Sequence, residues 1–208
     1  MNPQVRAAKE EKARRLVQRK TLAFIDAHHP HVVHPTLGDV RFDPWDFQRD
    51  ILQALDAGGP VIGLKARQIG WSTTVMVQKA RRLLVPNTRV LVVSRKEDLG
   101  KELLAIAGAA IESCETPFPV ACEIKTTEIV AANGSRIRVE TAGRTTGRGF
   151  SAGDVVLDEM AYLPWADTIY RNLRPIVSRS GNITATGSSR STVEVRRGIS
   201  SSPACPRY

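Results

Sequence analysis

Between residues 43 and 189 the sequence alternates short apolar runs with longer segments of helical character. The apolar runs predict strands, at residues 60–66, 89–95, 153–160 and 182–188. The other segments predict helices, at residues 44–58, 72–84 and 96–114. Strands that are apolar on both sides are buried on both faces, which is typical of parallel sheets covered by helices. The alternation therefore predicts an α/β fold with a mostly parallel central sheet flanked by helices.

A hairpin is expected to interrupt this parallel pattern. Residues 127–143 alternate apolar and polar side chains on both sides of Asn133-Gly134. This dipeptide is favoured in the type I′ turns that join antiparallel strands. The predicted fold therefore includes an antiparallel hairpin insertion.

The two ends of the chain carry its positive charge. The 208 residues have a formal net charge of +9, of which residues 1–20 contribute +5 and residues 190–208 contribute +3. Such basic ends either contact nucleic-acid phosphates or remain solvated. Residues 4–27 predict a basic helix, and residues 28–39, which hold all four histidines, predict a polar linker. Residues 190–208 are rich in Ser, Arg and Pro and predict a poorly ordered tail.

Composition is that of a globular domain. Hydrophobic residues make up 42% of the chain. The sequence contains no run of about 18 apolar residues, which a transmembrane helix needs, and shows no apolar leader. The cysteines Cys114, Cys122 and Cys205 are widely spaced and predict reduced thiols. The chain is accordingly divided into a basic helix and linker (1–41), a central domain (42–189) and a basic tail (190–208).

The segment from Lys65 to Thr73 lies where a strand passes into a helix, the position of a phosphate-binding loop. Gly70 and Ser72 fit the common pattern G-x-x-x-x-G-K-[ST]. Lys65 stands where its first glycine is expected, and Trp71 takes the place of its lysine. The helix N-terminus binds anions, the Lys65 side chain can reach phosphates from the front of the loop, and the Ser72 hydroxyl is at the Mg²⁺ position. The alternative is an ordinary strand–turn–helix with surface cations.

Two adjacent carboxylates, Asp158 and Glu159, follow a continuously apolar strand. They are expected at the carboxyl edge of the sheet, where open α/β folds bind ligands. Asp158 would hold Mg²⁺, and Glu159 would orient and deprotonate an attacking water. A polar strand end that caps the next segment is the alternative.

Three segments carry a resemblance to a known family: KARQIGWS (65–72), VVLDEMAYLP (155–164) and ITATGSS (183–189). In this order and spacing they resemble the ATPase domain of tailed-phage terminase large subunits, the motors that package viral DNA into procapsids. Family loops often carry an Arg-Gln pair before the glycine, as Arg67-Gln68 do here. Some members also have the lysine first and an aromatic residue before the serine, like Lys65 and Trp71. The resemblance implies a P-loop NTPase fold of the additional-strand, catalytic-glutamate type.

This resemblance assigns roles to individual residues. The nucleotide-binding set is Gln48, Lys65, Ala66, Arg67, Gln68, Ile69, Gly70, Trp71, Ser72 and Thr73. Gln48 would read the adenine edge, with Trp45 or Phe42 as a ring neighbour. Ser72 and Asp158 would hold the metal.

The family also implies catalytic and coupling residues. Glu159 is the catalytic glutamate. The arginine that stabilises the transferring phosphoryl group is either Arg148, supplied to a neighbouring subunit, or Arg67 acting in cis. Arg144 lies in the same glycine-rich loop as Arg148, and a solvated loop is the alternative for both. The residues that couple hydrolysis to movement are Thr184, Thr186 and Gly187.

The implied cofactors are ATP and Mg²⁺, and the implied partners are double-stranded DNA, a portal and a small terminase subunit. The family further implies a homo-oligomeric ring in the host cytoplasm, without membrane association. Terminase large subunits continue into a nuclease domain, and only one acid, Glu194, follows Ser189. We therefore expect a truncated chain without nuclease activity and leave its ATP turnover open.

Two other functions remain open on the sequence alone. A helicase-like nucleic-acid-dependent ATPase shares the upstream glutamine, the strand-end acids and a similar coupling motif. A non-catalytic basic module for DNA binding or assembly would use the basic ends, and its loop would be inert.

Overall fold

The computed structural model describes residues 3–34, 36–65, 69–148, 151–177, 182–188 and 194–197. The α-helices within them are α1 (Pro3–Arg19), α2 (Thr21–His28), α3 (Asp46–Ala57), α4 (Trp71–Arg82), α5 (Glu97–Glu112) and α6 (Ala166–Val177). The strands are β1 (His31–His34), β2 (Gly38–Arg41), β3 (Val61–Lys65), β4 (Arg89–Ser94), β5 (Cys122–Ile124), β6 (Glu128–Ala131), β7 (Arg136–Thr141), β8 (Asp154–Leu157), β9 (Asn182–Ser188) and β10 (Glu194–Arg197).

The main sheet of the described segments has eight strands, in the order β10-β3-β9-β8-β4-β7-β6-β5. Strands β3, β9, β8, β4 and β7 run parallel, while β10 and the pair β6 and β5 are antiparallel to their neighbours. The predicted mostly parallel sheet with an antiparallel hairpin, β6–β7, is confirmed. Because β9 lies between β3 and β8, the sheet also has the additional strand that the resemblance implied.

Helices cover both faces of this sheet, which explains why its central strands are continuously apolar. One core lies under helices α2 to α5 and includes Phe24, Leu52, Met76, Leu104, Val90 and Val92. The other lies under α6 and includes Leu91, Val93, Val155, Leu157, Ile169 and Leu173. Successive residues of β4 thus enter opposite cores. Burial of each such aliphatic side chain stabilises the fold by about 1.5–3 kcal/mol, so a register shift in β4 is strongly disfavoured.

The N-terminal region departs from the prediction. The single helix expected at residues 4–27 is two helices, because Lys20 has an extended backbone (φ −122°, ψ 120°). The predicted polar linker contains a two-stranded hairpin, β1–β2, in which His31 is aligned with Arg41. The His31 ring is hydrogen-bonded to Asp39 (3.0 Å) and Glu115 (3.3 Å).

The hairpin turn also differs from the expected type I′. Gly134 has a positive φ of +83°, but Asn133 does not, whereas a type I′ turn requires both. The Asn133 side chain donates a hydrogen bond to the Leu83 carbonyl (2.8 Å) and accepts one from the Ser135 N–H (3.1 Å). These contacts fix Asn133 in another backbone conformation.

A strand lies within the predicted tail. Residues 194–197 form β10, which pairs with β3 so that Glu194 is aligned with Leu64 and Arg197 with Val61. The poor order expected of the tail stays a prediction, and residues 189–193 and 198–208 lie outside the described segments.

Cys114 and Cys122 are free thiols, as expected. Burial raises the pKa of each to about 11, so both remain protonated at neutral pH. Cys205 lies outside the described residues. In the segments that the structure describes, no helix has the length and apolar character required to cross a membrane.

Candidate functional site

The predicted site residues of three strands meet at the carboxyl edge of the sheet. Lys65 ends β3 and is aligned with Ser188 of β9. Asp158 follows Leu157, the last residue of β8, which is aligned with Ala185 of β9. The lysine and the aspartate are therefore separated by one intervening strand. They are close enough for the positive charge of Lys65 to act on the ionisation of Asp158.

Asp158 is held in a mostly buried environment. The Thr186 hydroxyl donates to Asp158 Oδ1 (3.1 Å) and accepts a hydrogen bond from the Glu159 N–H (2.8 Å). Burial raises the pKa of Asp158, although the Thr186 hydrogen bond and the Lys65 charge act against this, and the Glu159 charge adds to it. Because the pKa is raised, the ionised carboxylate is disfavoured in the free protein, and a bound cation would stabilise it.

Glu159 directly follows Asp158 in a sharply turned backbone. Its φ of 47° and ψ of 50° are in the left-handed region, which few residues other than glycine adopt. This turn ends β8 and begins a short 3₁₀ helix, Met160–Tyr162. Backbone strain of this kind clusters at functional sites, and here it falls on the predicted catalytic residue.

Helix α4 begins at the same edge with Gly70 as its N-cap residue. Gly70 has a φ of +71°, and its carbonyl accepts hydrogen bonds from the N–H and the hydroxyl of Thr74 (2.9 Å each). Ser72 and Thr73 are in the first turn and are partly exposed. The first backbone N–H groups of an α-helix have no intrahelical partner, so this turn offers donors to an anion.

Gln48 lies against the loop but is engaged by the protein itself. Its Oε1 accepts a hydrogen bond from the Trp45 N–H (2.9 Å), and its Nε2 donates to the Ile69 carbonyl (3.5 Å). A methyl group on Gly70 would come within 2.7 Å of Nε2. Gln48 therefore joins the start of α3 to the loop, and its contact with adenine stays a prediction.

The two candidate ring neighbours of adenine differ in exposure. Phe42 is buried in the core, whereas Trp45 is 62% exposed and packs against Phe47 with ring centroids 5.6 Å apart. Trp45 is consequently the better candidate for stacking on a base.

Trp71 occupies the core, which accounts for its place in the loop pattern. The side chain is 1% exposed, and a methyl group on Gly63 of β3 would come within 1.9 Å of its ring. The tryptophan thus anchors the start of α4 on β3 and is turned away from solvent. Trp71 therefore cannot replace the usual loop lysine. Among the described residues of this segment, Lys65 at the front of the loop is the lysine that could contact phosphates.

Replacement of Gly63 by alanine is expected to lower the free energy of unfolding by about 3 kcal/mol, because the new methyl group overlaps the Trp71 ring. Urea unfolding measures the change. Gly153→Ala is the matched control, since a methyl group there meets no atom within 4 Å. Equal losses in the two variants would contradict the packing of Trp71 on Gly63.

The other predicted residues lie in the loop after β7 or outside the described segments. Arg148 is exposed in the loop between β7 and β8. The Arg144 guanidinium lies 4.0 Å from the centre of the Trp165 ring. Ala66, Arg67 and Gln68 lie outside the residues that the structure describes.

The three predicted coupling residues occupy different depths of β9. Thr186 contacts both acids, and Gly187 is at the edge beside Leu64. Thr184 is fully buried deeper in β9, where its hydroxyl accepts a hydrogen bond from the Lys79 ammonium (3.4 Å). Thr184 therefore does not lie at the strand end.

Sequence reasoning did not single out Trp165, which supports Arg144 at this edge. It also missed the buried ion pair of Lys79 and Asp154 (2.9 Å), which joins α4 to β8 beneath the site. Isolated residues of these types carry no spacing signal.

The oxygen donors of this edge fit a magnesium ion. Among the described residues, no three His, Cys, Asp or Glu side chains form a group able to hold a metal alone. Mg²⁺ usually takes one or two protein oxygens, completing its shell with phosphates and water. The Asp158 carboxylate, mostly buried at the end of β8, and the Ser72 hydroxyl in the first turn of α4 are oxygen donors of this kind.

Solved structures of phage terminases share this fold. The large terminase ATPase domain of Thermus phage P74-26, and a mutant of it, match with a TM-score of 0.58 and 19% identity, over 70% of this chain and 65% of that one. The large terminase of bacteriophage HK97 matches with a TM-score of 0.57 and 18% identity, over 82% and 37% of the two chains. The large terminase of another thermophilic bacteriophage, in complex with ADP, matches with a TM-score of 0.51 and 8% identity, over 69% and 36%.

These likenesses confirm the predicted resemblance at the level of the fold. No protein-family model matches the sequence, and no curated protein matches it. The chain spans about two thirds of the Thermus phage domain and less than two fifths of the HK97 protein and of the ADP-bound terminase. The fold is therefore that of a phage terminase ATPase domain.

Proposed function

We propose that this chain is the ATP-hydrolysing motor domain of a DNA-packaging terminase large subunit. The observation that carries the proposal is the meeting of Lys65, Asp158 and Thr186 at one edge of a sheet with the terminase ATPase fold. A cation and a desolvated carboxylate across one strand, beside a helix N-terminus, form a suitable receptor for a metal-bound triphosphate. The ADP in the structure of the thermophilic bacteriophage terminase supports a nucleotide as the ligand.

In this proposal the first turn of α4 and the Lys65 ammonium bind the phosphates. Ser72 and Asp158 hold Mg²⁺, which when bound neutralises charge on the β- and γ-phosphates. Trp45 stacks on the base, and Gln48 contacts its edge. The remaining residues of the predicted nucleotide-binding set, Ala66 to Ile69 and Thr73, are further proposed contacts of the nucleotide.

Glu159 acts as the general base for hydrolysis. It accepts the proton of a water whose oxygen forms a bond to the γ-phosphorus as the bond to the bridging oxygen breaks, releasing ADP and phosphate. Arg148, exposed in the loop between β7 and β8, is the candidate for action on a neighbouring subunit in a ring. Arg67 is the candidate for action in cis.

Thr186 transmits the state of the site in this proposal. Its hydroxyl bonds both to the Asp158 carboxylate and to the Glu159 N–H, so a change at either acid reaches β9 directly. Gly187, at the end of β9, permits the movement that follows. Double-stranded DNA, a portal and a small terminase subunit are the proposed partners, in the host cytoplasm.

The activity is tested by comparing ATP turnover with blunt duplex DNA, with a purified phage portal and with a labelled forked DNA. We expect Mg²⁺-dependent turnover that rises with duplex DNA or portal, without strand separation. Unwinding of the forked DNA would identify a helicase instead. Absence of ATP binding would identify a non-catalytic module.

A further inference from the structure

A cavity lies at the edge of the sheet opposite to the nucleotide edge. It has a volume of about 420 Å³ and is lined by Gln18, Arg19, Lys20, Leu55, Asp56, Arg81, Arg82, Val85 and Asn182. Asn182 begins β9, Arg82 ends α4, and Asp56 is near the end of α3. The cavity is therefore at the amino edge of the parallel strands, separate from Lys65 and Asp158.

The side chains around this cavity leave an excess of positive charge. Asp56 is neutralised by Arg81 in a buried pair (2.5 Å), and Asp154, just behind the wall, is neutralised by Lys79 (2.9 Å). Arg19, Lys20 and Arg82 remain, which gives a net charge of +3 at the cavity. Uncompensated cations around a polar cavity attract anions.

Arg82 has hydrogen-bonding capacity to spare. Its side chain is only 24% exposed, and the guanidinium approaches Asp154 Oδ2 at 3.6 Å. Within the described residues, both Arg82 Nε and Asp154 Oδ2 are buried without a hydrogen-bond partner. A buried donor of this kind is costly unless a ligand or water satisfies it.

A cation at the end of α4 would also be favoured by the helix dipole alone. The carbonyl groups there are already occupied, however. Those of Ala80, Arg81 and Arg82 accept hydrogen bonds from the N–H groups of Leu83, Leu84 and Val85. The helix end therefore gives Arg82 no hydrogen-bond partner, and the dipole does not account for Arg19 and Lys20.

Arg19 and Lys20 are flanked by residues that tertiary contacts hold in place. Arg81 donates to the Gln18 carbonyl (2.5 Å) and to the Thr21 hydroxyl (3.2 Å), which flank Arg19 and Lys20. The Thr21 N–H and hydroxyl also bond to Asp56. The backbone that carries Arg19 and Lys20 is thereby fixed over α4, so little ordering is required when an anion binds.

We propose that this cationic cavity binds phosphate groups of a double-stranded DNA backbone. The choice of DNA over another polyanion rests on the proposed function, and it is supported by the net charge of +5 in residues 1–20, which continue from the cavity into α1. Phosphate contacts by arginine and lysine position a protein on DNA without reading its sequence. The cavity would let the domain contact DNA at the edge remote from ATP.

The test is fluorescence anisotropy with a labelled duplex of about 20 base pairs, over roughly 50–200 mM salt. For Arg19→Gln with Lys20→Gln we expect roughly tenfold weaker binding at low salt and a salt slope smaller by about 2. The matched control is Arg171→Gln with Arg174→Gln, two exposed arginines of α6. Arg82→Gln should also weaken binding, with a salt slope smaller by about 1, and its thermal unfolding is measured in parallel because Arg82 contacts a buried acid.

The proposal would be overturned if the cavity variant kept the wild-type affinity and salt slope, or if the α6 control lost as much affinity. It would also be overturned if the wild-type chain did not bind duplex DNA. Competition with inorganic pyrophosphate distinguishes a DNA-binding site from a site for small anions. Strong binding of pyrophosphate without binding of DNA would also overturn the proposal. ATP binding is measured on the same samples. Its retention in the cavity variant separates failure of this proposal from failure of the nucleotide site.

Discussion

Replacement of Lys65 by alanine is expected to lower the affinity for Mg²⁺-ATP by roughly 100-fold or more, because the charge that faces the phosphates at this edge is removed. Titration calorimetry of the wild-type and variant chains measures the change. The fold should be retained, since Lys65 is the last residue of β3 and is partly exposed.

Lys125→Ala is the matched control for this loss. Lys125 is an exposed lysine that lies between β5 and β6 at the far edge of the sheet, paired with Glu123 and Glu128. Its replacement should leave ATP affinity unchanged. If Lys65→Ala bound ATP as tightly as the wild-type chain, the relocated lysine would not be the phosphate ligand.

The second large effect is expected from Glu159→Gln. This variant should bind Mg²⁺-ATP within a fewfold of wild type but hydrolyse it roughly 100- to 10,000-fold more slowly, because glutamine cannot accept the proton of the attacking water. Binding is measured by calorimetry and turnover by phosphate release under identical conditions.

Glu123→Gln, on an exposed strand of the hairpin region, controls for loss of one carboxylate. It should keep both binding and turnover. Equal turnover in Glu159→Gln and wild type would exclude Glu159 as the base. If the variant instead lost its affinity for Mg²⁺-ATP, Glu159 would be a ligand of the nucleotide or the metal and not the base.

Most of the sheet and the helices around its centre are predictable from the sequence, because tertiary burial and local pattern agree there. In β4, for example, adjacent residues enter different cores, and only a continuous apolar run satisfies both. The strand-to-helix change after Lys65 and the acids after Leu157 are then placed at one edge by parallel pairing alone.

Tertiary contacts decide the features that the sequence did not predict. The break between α1 and α2 at Lys20 is stabilised by hydrogen bonds of the residues next to Lys20. Their partners, Asp56 and Arg81, are more than 30 positions away in the chain. Strand β10 forms in a polar, serine-rich segment because the edge of β3 offers unpaired backbone groups. Neither cause leaves a periodic pattern.

The site shows the same division. The positions of Lys65, Gly70 and Asp158 follow from their motifs, whereas the burial of Trp71 depends on the absence of a side chain at Gly63. The engagement of Thr184 by Lys79 likewise depends on a buried ion pair formed across the fold. Motif reading therefore locates the edge of the site, and packing determines which motif residues reach it.

A crystal structure of this chain with a non-hydrolysable ATP analogue and Mg²⁺ tests the central claim most directly. We predict a γ-phosphate within hydrogen-bonding distance of Lys65 Nζ, with the metal about 2.1 Å from the Ser72 hydroxyl and bound to Asp158 directly or through water. A nucleotide bound elsewhere, or a metal without contact to either residue, would contradict it.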